Sequence, residues 1–168
     1  MEKSLPPKPC FSEVNKYLNK WKNLEGYTSQ EEALNKLFLE LLPGNSEIAD
    51  ILLKASCLND FYSTRIFAIY PVAKRILSIK DLDKRLKAGD IKLVRELGNV
   101  KIGDDKRYFY SFATKYCSHH NPIAFPIYDS YVERVLLYFN KVDKFSSFKK
   151  KDLKNYRKFK GILLDFQR

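Results

Sequence analysis

Two prolines four residues apart, Pro122 and Pro126, interrupt the most aromatic part of this chain and dictate how it folds there. Proline has no backbone N–H, fixes its own φ and pushes the preceding residue to extended geometry. Asn121 to Tyr128 therefore cannot be regular helix. A helical pattern runs into this segment from Arg107 to about Ser118, and a second, SYVERVLLYFN, leaves it with Asp129 as N-cap. Within Ser111–Leu136 the sequence SFATKYCSHHNPIAFPIYDSYVERVL places Lys115, Cys117, His119, His120 and Asp129 in otherwise apolar surroundings. An unsatisfied buried polar group costs about 1–3 kcal/mol, so these groups must be paired or used.

The remaining chain reads as helices separated by breakers. Ser12 to Trp21 is amphipathic, with Val14, Tyr17, Leu18 and Trp21 on one face. Thr28 and Glu31 have capping-box spacing and open a helix that Pro43-Gly44-Asn45 stops. Ser46 to about Tyr70 continues at helical spacing, with Pro71 at the start of the next segment. Asp81 caps DLDKRLKA, Gly89 closes it, and Asp90 opens IKLVREL. The tail from Lys150 is a last amphipathic helix with Leu153, Tyr156 and Phe159 inward. Val100 to Ile102 is too short to count as a strand. The fold class is all-α, with about eight or nine short helices.

The chain has 168 residues, 45% of them hydrophobic, enough for one domain with a core. Residues 1–45 read as an N-terminal helical extension and 46–168 as the main domain. No apolar run reaches membrane-span length, and MEKSLPPKPC is not a signal peptide. Three scattered cysteines, Cys10, Cys57 and Cys117, suggest reduced thiols and a cytoplasmic location. Cys117, His119 and His120 would have to converge to hold zinc. Adjacent histidines on a helix point about 100° apart, so no metal site is expected. No cofactor is implied either. The net charge of +11, from 31 Lys and Arg against 20 Asp and Glu, favours a polyanionic partner, nucleic acid above all. Its ordinary explanation is a lysine-rich proteome.

IKLVREL, then GNVKIGDDK, then RYFYSFATKYC resembles the helix-hairpin-helix unit of the endonuclease III and oxoguanine DNA glycosylase superfamily. FPIYDSYVERVL resembles that superfamily's extended segment ending in a catalytic aspartate, which Asp129 matches. The chain from about Leu58 is also similar to a group of small uncharacterised bacterial proteins, in which continuation past Arg168 is expected. The resemblance implies a helix-hairpin-helix glycosylase-like domain acting on DNA. The loop departs from the superfamily pattern: KIGDDK has one glycine and two aspartates, and acids repel phosphate.

On this reading Asp129 is the catalytic acid or base, a role compatible with capping. Lys115 is the candidate Schiff-base nucleophile and Lys106 the competing one. Lys106, Arg107 and Arg134 contact DNA phosphates, and Tyr128, His119 and His120 line the nucleic-acid site. Ordinary roles stand beside these: a snorkelling lysine, histidines capping a helix C-terminus as imidazolium, and aromatics filling a core. Two chain paths are open. A long extended return would leave Asp129 near Lys106 and Arg107, and a tight one would put it beside Lys115. The expected function is DNA binding with base-excision glycosylase or glycosylase/lyase activity. The alternative is a non-catalytic nucleic-acid or protein-binding module of mobile-element or phage-defence origin.

Overall fold

The computed structural model describes residues 6–168. The chain runs through α1 (Phe11–Lys22), α2 (Glu25–Asn35), a π-helical turn (Lys36–Leu41), α3 (Ile48–Phe61), α4 (Ile69–Leu77), α5 (Leu82–Lys87) and α6 (Lys92–Gly98). A hairpin of β1 (Asn99–Ile102) and β2 (Asp105–Tyr108) leads into α7 (Tyr110–His120) and α8 (Ser130–Asp143). A 3-10 turn (Lys150–Lys154) and α9 (Tyr156–Phe166) complete it. The protein is all-α in class, with nine α-helices among the described residues.

Helix α7 is central because its sequence is apolar on nearly every side. Tyr110, Phe112, Ala113, Tyr116 and Cys117 are all buried, and so are Thr114, Lys115 and Ser118. Helices α3 and α6 pack against it, joined by Ile51, Leu58, Leu93, Val94 and Leu97. Leu153, Tyr156, Phe159 and Ile162 from the C-terminal segment close another side of the same core. Leu34 and Phe38, which lie in the stretch read as an N-terminal extension, also enter it.

Five local readings change, the first at the C-terminal segment read as one helix from Lys150: a 3-10 turn over Lys150–Lys154 precedes α9, which begins at Tyr156. Val100 to Ile102 is a strand: it pairs antiparallel with β2, Val100 opposite Arg107 and Ile102 opposite Asp105. Gly103, with φ of +59°, makes the reversal. Lys106 and Arg107 are consequently in a strand, and α7 begins only at Tyr110. The long helix from Ser46 stops at Phe61. Asn59 holds the break, its Oδ1 accepting from Ile66 N (2.9 Å) and Thr64 Oγ1 (2.6 Å). Thr28 does not cap: it lies inside α2, and its hydroxyl donates to the carbonyls of Leu24 and Glu25. Asp81 occupies an N-cap position in left-handed geometry without a side-chain cap bond.

Candidate active site

The return after α7 is tight, and one threonine fixes it. Thr114 Oγ1 donates to the Tyr128 carbonyl (3.2 Å) and accepts from Tyr128 N (3.1 Å). Asn121 anchors the near end: its Nδ2 donates to Leu86 O (3.1 Å) and its Oδ1 accepts from Ala124 N (3.1 Å). Of the two chain paths, the structure takes the one that brings Asp129 to Lys115. Asp129 caps α8, with Oδ1 accepting from Tyr131 N and Val132 N at 2.9 Å each.

Lys115 and Asp129 line one open cleft of about 730 Å³. Tyr62, Tyr108, Tyr128 and Glu133 form much of its wall. Lys115 is 3% exposed; its Nζ donates to Ser111 Oγ (2.7 Å) and sits 5.1 Å from the Tyr62 ring centroid. Burial pushes its pKa down, and the charge of Asp129 only partly opposes this. Burial also raises the Tyr62 pKa to about 12, so that wall presents a neutral phenol. Across the cleft the Tyr128 hydroxyl donates to Glu133 and accepts from Lys154 Nζ (2.6 Å). Glu133 also pairs with Lys150 at 3.2 Å and Lys154 at 3.5 Å. These cations, with the Tyr128 hydrogen bond, hold its pKa below the usual value against the opposing effect of burial.

Tyr128 thus belongs to the cleft wall, though only 3% exposed. Lys106, Arg107 and Arg134 are exposed and do not line this cleft. Arg107 pairs with Asp105 at 3.0 Å, and Arg134 lies over the Tyr131 ring at 4.7 Å. The histidines face inward against Phe38, with ring centroids 5.1 Å away in both cases. His119 Nε2 is 3.2 Å from Tyr62 Oη and His120 Nε2 is 3.3 Å from Asn45 Nδ2. Burial lowers their pKa values to about 4 and about 3, so they are neutral imidazoles and not the imidazolium caps expected from the helix end.

Glu133, Lys154, Tyr62 and Ser111 are among the cleft residues that sequence reasoning did not single out. Glu133 follows Asp129 by one helical turn, a spacing that signals a shared face. Lys154 comes from a distant segment and carries no such signal. Among the described residues no three His, Cys, Asp or Glu side chains converge as a metal site. Cys117 is fully buried, which pushes its thiol pKa up and away from ligation. No described helix is long and apolar enough to cross a membrane.

The fold and cleft define a small all-helical domain in which a desolvated lysine and a helix-capping aspartate line one cleft. Residues 13–124 match the family HI_0787_N, described as an N-terminal domain, and the chain belongs to that family. An uncharacterized protein of Haemophilus influenzae is 81% identical over 110 residues, covering 66% of this chain and 55% of that protein. The chain therefore spans about half the length of the curated relative it matches. No solved structure matches it.

Proposed function

We propose that this protein binds DNA and performs glycosylase or glycosylase/lyase chemistry, with Lys115 as nucleophile and Asp129 as its acid–base partner. The observation that carries this reading is the shared cleft: a buried lysine with a depressed pKa and an aspartate line the same cavity. A neutral amine attacks the C1′ carbon of an abasic sugar aldehyde, forming a C–N bond. The new alkoxide takes a proton from solvent, and the hydroxyl so formed, protonated by the carboxyl that received the amine proton, leaves as water to give an iminium cation. The capping bonds use Oδ1 of Asp129, which leaves Oδ2 to take the amine proton or face the cation. The tyrosine walls suit an extruded nucleoside, and the +11 charge suits its polyanionic carrier.

Borohydride trapping on a duplex containing an abasic site tests this. A covalent adduct that disappears in Lys115→Ala supports it. The second reading, a non-catalytic binding module, draws support from the acidic hairpin residues Asp104 and Asp105 and from the structural duty of Asp129. It takes over if no lesion yields an adduct and Asp129→Asn leaves DNA affinity unchanged.

A further inference from the structure

A second cleft, of about 570 Å³, adjoins the first and shares Tyr108 and Lys154 with it. Five cations line it: Lys92 and Arg95 from α6, Lys151 and Lys154 from the 3-10 turn, and Arg157 from α9. All five are exposed, and among the described residues no Asp or Glu lines the cleft. The carboxylates of the same region bond to other cations. Glu96 takes both terminal nitrogens of Arg85 (2.8 and 2.6 Å), Asp90 pairs with Arg85 (2.9 Å), and Asp152 pairs with Lys158 (2.7 Å). Among the described residues Lys92, Arg95, Lys151 and Arg157 have no carboxylate partner, while Lys154 shares Glu133 at 3.5 Å. A merely lysine-rich surface would not be sorted in this way.

We infer that this cleft is the track for the sugar–phosphate backbone of a nucleic-acid strand, leading past Tyr108 into the Lys115 cleft. The inference rests on the nucleic-acid part of the proposed function and not on its chemistry. The cations recur every third residue on each wall. Lys92 and Arg95 are at neighbouring positions, about 5–6 Å apart, on α6, and Lys151 and Lys154 eclipse one another in the 3-10 turn, with Arg157 following from α9. Two rows of positive charge lining one cleft suit a regularly repeating phosphate chain better than the irregular carboxylates of a protein surface. Tyr108, 44% exposed and 5.6 Å from the Tyr110 ring, stands at the junction where a base can stack.

Fluorescence anisotropy with a labelled single-stranded oligothymidylate of about 15 nucleotides provides the test, within the usual site size for strand binders. Arg95→Glu with Arg157→Glu should weaken binding about tenfold or more and reduce the salt slope by about 1.4, at about 0.7 per lost contact. Lys84→Glu with Lys141→Glu makes the same charge change on exposed residues outside both clefts, and should shift affinity by less than about threefold. Tyr108→Ala should weaken binding without changing the slope. Equal losses in the two charge-reversed pairs, or no wild-type binding at about 50 mM salt, overturn the track. Borohydride trapping separates the two ideas. Strand binding that depends on the cleft, with no adduct from wild type, keeps the track and removes the lyase reading. An adduct formed at wild-type yield by the Arg95→Glu, Arg157→Glu protein keeps the chemistry and overturns the track.

Discussion

Asp129 does two things at once, and substitutions can separate them. Its carboxylate accepts two backbone N–H bonds at the start of α8, an arrangement worth about 1 kcal/mol in typical helices. Asparagine caps nearly as well but carries no charge. Asp129→Asn should therefore leave the urea midpoint almost unchanged, whereas Asp129→Ala should cost about 1 kcal/mol. A loss in Asn equal to that in Ala would mean that the charge, not the cap, supplies the stability. His119 and His120 give a pH dependence with a definite sign. Their folded pKa values of about 4 and about 3 lie below the ordinary 6.5. Between pH 6.5 and pH 4 the unfolded chain binds protons that the folded chain refuses, so stability is complete above that window and falls as acid is added. The contribution is at most about 1.4 kcal/mol per histidine per pH unit. Urea unfolding at pH 7.5 and pH 5 should show this slope, and His119→Gln with His120→Gln should flatten it. A slope that survives both substitutions would place its origin elsewhere. The role of Asp129 as a cap was legible from its position after two prolines. The inward histidines were not, because their partner Phe38 comes from a segment just over eighty residues earlier, and spacing within one helix carries no such information.

Helices were legible where a breaker and a period agreed. The proline-bounded return and α8 follow directly from them, and so does α9, although it starts at Tyr156 and not at Lys150. The sequence reading failed where tertiary contacts override local pattern. The hairpin after α6 looked like a loop because each strand has four residues, too few for alternation to register. Its placement depends on Gly98, where a Cβ would lie 2.8 Å from the Tyr108 ring. The long apolar pattern from Ser46 hid a break that only the Asn59 side-chain bonds reveal. In α1 the amphipathic pattern is real but its face is not covered. None of its residues is buried, and Val14, Tyr17 and Leu18 are half exposed. Removing residues 1–22 should therefore change Tm by less than about 3 °C, equivalent to about 1 kcal/mol in a chain of this size. A much larger drop in a thermal melt would show that α1 supports the core through contacts that burial does not register.

At the scale of the whole molecule, one core ties the cleft to the end of the chain. The family match ends at residue 124, with Lys115 inside it and Asp129, Glu133 and Lys154 beyond it. The core takes no account of that limit. Phe125, Leu153 and Phe159 are 0% exposed, Leu136 is 1% and Tyr128 3%. Polar bonds cross the same boundary: Tyr110 Oη donates to Leu153 O (3.0 Å), and Lys160 Nζ donates to Ala124 O (2.7 Å). Fully burying one large apolar side chain is worth about 1.5–3 kcal/mol. Losing five of them approaches or exceeds the roughly 5–15 kcal/mol that holds a domain folded. A fragment ending at Ala124 should keep helical far-UV dichroism but lose its near-UV signal, bind a hydrophobic dye and unfold without a cooperative urea transition. Residues 23–168 should unfold as a single transition. A cooperative transition in the shorter fragment would show that the segment carrying Lys115 folds without the segment carrying Asp129, and the shared cleft would then be an assembly of two separable parts.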